Sequence, residues 1–116
     1  MARGDVLRIE FPYPPSDAGH EQAGRRPAIA VQTDVTSASL PTLMVVPLTG
    51  RLGALRFPHT IQVEPSKENG LTQTSVLLVF QLRAIDQKRI LERIGHLEQN
   101  YLDQLDAEMR RMLDLE

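Results

Sequence analysis

The sequence contains no cysteine and no tryptophan, and its aromatic residues are two tyrosines and three phenylalanines in 116 residues. Without cysteine, the chain has no disulfide scaffold, no thiolate metal site and no cysteine nucleophile. The longest apolar run, residues 76–80, has the length of a strand and falls far short of the ~18–20 residues of a membrane span. The N-terminus has no apolar stretch of signal-peptide length. We therefore expect a cytoplasmic protein.

Several site motifs are also missing. The sequence has no P-loop, no G-x-G-x-x-G and no G-x-S-x-G. The three histidines, His20, His59 and His96, are too far apart for metal-ligand spacing. We therefore expect neither a metal nor a cofactor.

The charge of the chain is unevenly distributed. The formal net charge is −2 and the pI is near 5.9, which excludes a uniformly basic surface. The acidic excess is concentrated in residues 98–116, so a local basic patch elsewhere remains compatible with the total.

Short β-branched runs alternate with proline and glycine loops as far as residue 97, and the length favours one domain over residues 1–116. Pro47 is expected to bend or end its strand, since proline has no N–H for the ladder. Gly95 is expected to mark a bulge or a close backbone approach. Residues 84–88, with Asp86 as N-cap, are expected to form a helical turn. The predicted strands are residues 5–11, 28–32, 43–48, 60–63, 75–82 and 90–97.

The last segment, residues 98–113, has apolar residues at helical spacing and is predicted to be a helix with this stripe in the core. Many short strands with one terminal helix favour a small, strongly curved β-barrel.

The most unusual segment is residues 19–27, in which two glycines bracket a charged stretch that ends in Arg25-Arg26-Pro27. Arginine offers a planar fork of donors suited to a phosphate, and the junction of a loop and a strand can aim it. The alternative is a surface loop in which Glu21 pairs with an arginine and contributes ~0–1 kcal/mol.

A second candidate is Thr49, which follows the run 43–48 and precedes a glycine. A hydroxyl at a strand end is well placed for function. The alternative is a threonine that caps a turn through its side chain.

Taken in order, these features resemble the MazF/PemK family of toxin endoribonucleases. Arg3-Gly4-Asp5-Val6 matches the family's opening strand, and residues 19–27 match its Gly-x-Glu-Gln-x-Gly-x-Arg-Pro loop. Further matches are Pro47-Leu48-Thr49, residues 70–71, Ser75, residues 81–86, Arg89 and residues 94–97. The resemblance covers essentially the whole chain.

The resemblance implies a small SH3-like β-barrel with a C-terminal α-helix, shared by MazF, PemK and CcdB proteins and usually present as a homodimer. It implies sequence-specific, metal-independent cleavage of single-stranded RNA, leaving a 2′,3′-cyclic phosphate and a 5′-hydroxyl. It also implies that translation is inhibited until a cognate antitoxin neutralises the toxin.

The same resemblance assigns roles to individual residues. Arg26 would stabilise the charge on the phosphoryl oxygens, and Thr49 would hydrogen-bond and orient the phosphate. The group that removes the 2′ proton stays open between His20, Glu21 and a perturbed Arg26, since arginine is ordinarily a poor base. Gln22 would brace the loop.

Other residues are candidates for binding RNA. Arg25, Arg51 and Arg56 would contact phosphates, and Tyr13 or Phe57 would stack an unpaired base. Gln22 would also contact the RNA. Packing is an equally good explanation for the two aromatic residues.

The chain departs from the family pattern at three places. Relatives with an Arg-x-Asp pair before the glutamine use it in catalysis, whereas Leu78 and Phe80 stand here. Arg8 replaces a frequent tryptophan, and residues 12–18 form a longer, proline-rich loop at the edge of the presumed groove. Two alternatives to a nuclease remain: a catalytically degenerate family member, and a non-catalytic binding module of the CcdB type on the same fold.

Overall fold

The computed structural model describes residues 1–12, 24–34 and 38–115. Within these ranges the chain forms seven β-strands, one α-helix and three short 3₁₀ helices. The 3₁₀ helices span Leu52–Arg56, Val79–Gln81 and Gln87–Arg89. The other elements are β1 Asp5–Phe11, β2 Gly24–Ala30, β3 Thr42–Thr49, β4 Thr60–Val63, β5 Ser75–Leu78, β6 Arg83–Asp86, β7 Ile90–His96 and α1 Gln99–Met112.

All strand pairs are antiparallel, in the order β4-β5-β3-β2-β1-β7. The sixth strand pairs with β3 beside β5. Within the described residues the outer strands β4 and β7 do not pair with each other, so the sheet is open and the predicted barrel is not closed. A mainly β fold with one C-terminal helix confirms the predicted fold class.

The third strand has three partners: β2 along one edge, and first β6 and then β5 along the other. It pairs with β6 over residues 42–45 and with β5 over Leu48 and Thr49. Pro47 lies between these two stretches, where none of the described strands pairs with that edge, and such a position tolerates a residue without an N–H. The strand continues past Pro47 to Thr49, so of the two predicted effects of the proline, a bend or an end, the end does not occur.

The sheet contributes to two hydrophobic cores. Along β1, Val6 enters one core, whereas Leu7, Ile9 and Phe11 enter the other, which explains why the alternation is blurred where β1 begins. We call the second the barrel core; it contains Leu7, Ile9, Phe11, Ala28, Ala30, Leu43, Val45 and Ile85. The first, the helix-side core, contains Val6, Ile29, Val46, Leu48, Ile61, Val63, Leu71, Leu77, Val79, Leu97, Leu102 and Leu105.

The C-terminal helix packs its apolar stripe onto the helix-side core, as predicted. Leu102 and Leu105 are buried there, and Tyr101 and Met109 pack against them. The acidic face of α1 is tied to the rest of the fold by an ion pair between Arg3 and Asp106.

Three sequence-based boundaries needed correction. The run 75–82 leaves the sheet after Leu78 and continues as a 3₁₀ helix. Residues 83–86 form a strand, so the helical turn predicted for 84–88 begins only at Gln87; Asp86 caps it by accepting a hydrogen bond from the Lys88 N–H. The strand predicted for 28–32 starts earlier, because Gly24 and Arg25 pair with Phe11 and Glu10.

The predicted close approach at Gly95 is confirmed. The register of β1 on β7 shifts between Val6, opposite Gly95, and Leu7, opposite Arg93, which is a bulge. The backbone of Asn69 lies against Gly95, and a Cβ built on that glycine would be 2.4 Å from the Asn69 carbonyl carbon.

Candidate functional site

Arg26 and Thr49 lie at the same end of one antiparallel strand pair. The last paired residues of β2 and β3 are Ala28 and Pro47, and each strand runs at least two residues further. Because side chains alternate along a strand, Arg26 shares the face of Ala28, and Thr49 shares the face of Pro47. These two of the four predicted catalytic side chains are therefore on the barrel-core face, just beyond the paired region.

Arg25 lies on the opposite face of β2. It is paired in register with Glu10, and its Nε is 3.5 Å from Glu10 Oε1. Both side chains are largely exposed. Tandem arginines in a strand cannot share one face, so Arg25 and Arg26 serve different surfaces of the sheet.

Thr49 is 7% exposed, and its Oγ1 accepts a hydrogen bond of 3.3 Å from the Arg51 N–H. This is the turn-capping arrangement considered above as an alternative to a functional role. The acceptor role uses one lone pair and leaves the hydroxyl proton available as a donor. Capping the turn therefore also fixes where this hydroxyl stands.

Residues 51–57 form a basic and apolar segment next to Thr49. It contains the 3₁₀ helix with Leu52 and Leu55 exposed, and it ends at Arg56 and Phe57. The Arg56 guanidinium carbon lies 4.5 Å from the centre of the Phe57 ring, which is cation–π geometry. Both side chains are at the surface.

Two further residues were not selected as site residues from the sequence: Phe80, which contacts this segment, and Arg83, which lies against Phe11. The Phe80 ring lies 5.4 Å from the Phe57 ring, centre to centre, at an interplanar angle of 57°. Arg83 lies opposite Val45 in register, and its guanidinium carbon is 5.3 Å from the centre of the buried Phe11 ring. Arg83 thus shares the barrel-core face with Arg26 and Thr49.

An open depression of about 410 Å³ connects these two residues, with Phe80, Gln81, Leu82, Arg83 and Ala84 along its wall. Phe80 was not predicted to be a site residue, because residues 76–80 form an apolar run that is typical of a fully buried strand. The signal that was available is the absence of acidic residues between positions 69 and 85.

Leu78 and Phe80, which stand where some relatives have an Arg-x-Asp pair, have different environments. Leu78 is 2% exposed in the sheet, whereas Phe80 is 37% exposed on the 3₁₀ helix that follows. The site of Leu78 is apolar and packed, so a charged side chain there would be desolvated.

Four predicted residues, Tyr13, His20, Glu21 and Gln22, lie outside the described part of the chain. Their assignments remain predictions.

The other two histidines are held by carboxylates. His59 Nδ1 lies 2.7 Å from Glu108 Oε1, and His96 Nδ1 lies 3.1 Å from Asp5 Oδ1. Hydrogen bonds from Arg111 and His59 lower the pKa of Glu108. These contacts join parts of the chain that are distant in sequence.

The carboxylate of Asp5 is the most enclosed charged group described. Burial raises its pKa, but hydrogen bonds from His96, Arg93 and the Ala2 N–H outweigh burial, and the net pKa lies below the ordinary value. Asp5 is 4% exposed, and Arg93 Nε donates to it at 3.0 Å. Asp5 thus anchors the start of β1 to β7.

Within residues 1–12, 24–34 and 38–115, no group of three or more His, Asp or Glu side chains could hold a metal ion. In the same part of the chain, no helix is long and apolar enough to cross a membrane.

Known proteins agree with this architecture. A family model described as "PemK-like, MazF-like toxin of type II toxin-antitoxin system" matches residues 2–113. Endoribonuclease EndoA of Bacillus subtilis (strain 168) is 31% identical over 115 residues, which is 99% of this chain and 96% of that protein.

Solved structures show the same fold. MazF from Deinococcus radiodurans superposes with a TM-score of 0.79 at 22% identity, covering 99% of this chain and 97% of that one. A mycobacterial endoribonuclease in complex with its cognate antitoxin has a TM-score of 0.73 at 18% identity, covering 100% and 97%. The chain therefore belongs to the PemK-like, MazF-like toxin family of type II toxin–antitoxin systems.

Proposed function

We propose that this protein is a sequence-specific endoribonuclease that cleaves single-stranded RNA without a metal and so inhibits translation. Membership of the toxin family and the endoribonuclease relative support the reaction class. The observation that carries the assignment to residues is the position of Arg26 and Thr49 at one strand-pair end, on one face.

In the proposed reaction the 2′-oxygen attacks the adjacent phosphorus while the bond from phosphorus to the 5′-oxygen breaks. The products are a 2′,3′-cyclic phosphate and a 5′-hydroxyl; a base takes the 2′ proton, and the leaving oxygen receives a proton. Charge collects on the phosphoryl oxygens. A fixed cation with several donors stabilises that charge most where it is already oriented before reaction.

Arg26 fits the role of that cation, because its fork of donors projects from a strand rather than from a loop. Thr49 fits the role of a hydroxyl donor to the same phosphate, since the Arg51 N–H fixes its oxygen. The base stays open between His20, Glu21 and Arg26 itself.

The proposed partners are single-stranded RNA, a cognate antitoxin and a second copy of this chain, in the cytoplasm. A structural neighbour solved with its cognate antitoxin supports the second of these. Binding of an antitoxin over the face that carries Arg26 and Thr49 would keep RNA out of the site.

The test is cleavage of a long single-stranded RNA by the purified protein in EDTA, with Arg26→Ala and Thr49→Ala alongside. Loss of one such donor costs ~3–4 kcal/mol, so Arg26→Ala should cut about 100- to 1,000-fold more slowly. The matched control is Arg110→Ala, which removes an exposed arginine from α1.

The ends of the products complete the test. We expect 5′-hydroxyl ends that a kinase can phosphorylate and 3′ ends that carry a cyclic phosphate. Equal cutting by the wild type and Arg26→Ala would refute the assignment of Arg26. An intact wild-type protein that binds diverse RNAs without cutting them would instead identify a degenerate member, the outcome suggested by Leu78 and Phe80.

A further inference from the structure

Residues 47–63 and 69–85 form a surface with three arginines, and the described carboxylates that contact it are Glu64, bound to Gln62 and Thr74, and Glu108, bound to His59. Neither segment contains an aspartate or a glutamate, and together they contain Arg51, Arg56 and Arg83. The three arginines outnumber those two carboxylates, so basic side chains are in excess on this surface although the chain as a whole is acidic. Its chemistry is complementary to a polyanion.

Two exposed aromatic rings lie on this surface. Phe57 is 36% exposed and Phe80 is 37% exposed, and each ring contacts the other. Arg56 covers part of Phe57, so the open ring surface is mainly that of Phe80 and the cleft between them. The two rings are tilted by 57° to each other, so they present the face of Phe80 beside an apolar cleft, at low conformational-entropy cost.

A cation lies at the other end of the depression that Phe80 lines. Arg83 stacks on Phe11, which is 1% exposed and therefore fixed, so the guanidinium has a defined position. Among the described residues Arg83 has no carboxylate partner, and its donors can bind an anion. The volume of about 410 Å³ falls in the ~300–1,000 Å³ range of sites for small ligands.

We propose that Phe57 and Phe80 form a stacking platform for one unpaired base of the RNA, and that Arg83 binds the phosphate of the same nucleotide. The inference rests on the proposed function and deepens it: the platform and Arg83 form a subsite that sets base preference beside the cleavage site. A single-stranded nucleic acid is the occupant because stacking surfaces interleaved with arginines are how such strands are held. A second copy that docked through the same surface would bring its own residues 47–63 and 69–85 against Arg56 and Arg83. Those segments contain no aspartate or glutamate, so the arginines would be buried without a partner.

The test measures binding separately from cleavage. A random-sequence, single-stranded 12-mer with 2′-fluoro groups lacks the nucleophile, so its binding is independent of the reaction. Fluorescence anisotropy would compare the wild type with Phe80→Ala, Phe57→Ala and Arg83→Ala. Loss of one base stack should weaken binding by about 5- to 150-fold in the phenylalanine variants.

Specificity and control variants distinguish a subsite from a general loss of binding. Sequencing of the bound 12-mers should show one position whose base preference flattens in Phe80→Ala and recovers in Phe80→Tyr, which restores the ring. Leu91→Ala removes an apolar side chain that is 46% exposed on β7, away from the depression, and should bind as the wild type does. The Arg83→Ala variant should have a shallower salt dependence than the wild type.

Three outcomes would overturn the proposal. One is Phe80→Ala binding with wild-type affinity and base preference. Another is a binding loss in Phe80→Ala that Phe80→Tyr does not restore. The third is a loss that occurs together with a smaller sedimentation coefficient, which would assign the surface to a contact between copies. Because the 12-mer cannot be cut, failure of the cleavage proposal leaves this measurement unaffected.

Discussion

The hydroxyl oxygen of Thr49 accepts a hydrogen bond from the backbone N–H of Arg51, two residues further along the chain. That contact turns the chain out of β3 and into the basic 3₁₀ helix, and it holds a donor hydroxyl at the strand end. The same hydroxyl group thus caps the turn and, in the proposed function, donates a hydrogen bond to the phosphate. Substitutions of Thr49 can test the two roles separately.

Thr49→Ser should retain most cleavage, because it keeps the hydroxyl, whereas Thr49→Val, which has the same shape, should lose it. A hydrogen bond to a charged group contributes ~1.5–3 kcal/mol, so Thr49→Val should be about 10- to 150-fold slower at saturating RNA. The free energy of unfolding, measured in urea, serves as the control. A lower stability with an unchanged cleavage rate would show that Thr49 only caps the turn.

The tandem arginines should respond differently to substitution. Arg25 is paired with Glu10 on the face of β2 opposite to Arg26 and is well exposed, so Arg25→Ala should leave the rate at saturating RNA unchanged. If Arg25 meets a phosphate, its loss should reduce the slope of log K against log salt by about 1.

By contrast, Arg26→Lys should recover little of the activity lost in Arg26→Ala, since lysine keeps the charge but not the planar fork. Single-turnover rates at two salt concentrations measure both variants. Full activity of Arg26→Lys would show that a point charge is enough and would contradict the bidentate role.

Periodicity and composition were sufficient for the fold class, because each core is built from side chains that repeat at strand or helix spacing. They could not assign Phe80. An apolar run is typical of a buried strand, but β5 ends at Leu78, and the 3₁₀ helix turns Phe80 outwards. A strand ends where its neighbouring strands stop pairing with it. For β5 these neighbours are β3 and β4, whose positions depend on the tertiary structure and not on the local sequence.

For the candidate site too, part could be predicted from the sequence and part depends on tertiary structure. The chemistry of arginine and threonine is local, so both residues could be selected from the sequence. Their common face depends on the register of β2 on β3, which pairs Ala28 with Pro47. The register of β1 on β2 also places Arg25 opposite Glu10 and Arg26 opposite Ile9, so the two arginines are on different faces of the sheet. The sequence alone does not show which arginine is on which face.

The stability of the fold in acid should depend on Asp5. Its pKa in the folded protein lies below the ordinary 3.8, so its contribution is complete above about pH 3.8 and is lost as the pH falls through the lower folded value. Replacement by asparagine removes hydrogen bonds to charged groups, and Asp5→Asn should be about 1.5–3 kcal/mol less stable at pH 7.

The difference between wild type and Asp5→Asn should shrink as the pH falls below that window. Urea unfolding followed by circular dichroism between pH 2.5 and pH 7 would measure it. Asp103→Asn, on the exposed face of α1, is the control and should follow the wild type. A constant difference at every pH would show that the charge of Asp5 is not what stabilises the contact.

The close approach at Gly95 should make that position intolerant of any side chain. In Gly95→Ala the new methyl group would meet the carbonyl carbon and oxygen of Asn69, both at 2.4 Å, and these are backbone atoms that cannot rotate away. Forcing them apart should cost about 1–3 kcal/mol or more of stability. Gly53→Ala provides the matched control, because the nearest atom there is the end of the Arg56 side chain at 3.7 Å. Gly95→Ala should unfold at a lower urea concentration than Gly53→Ala, with the same m-value. Equal midpoints would mean that the backbone at Asn69 can move away from β7 at no cost in stability.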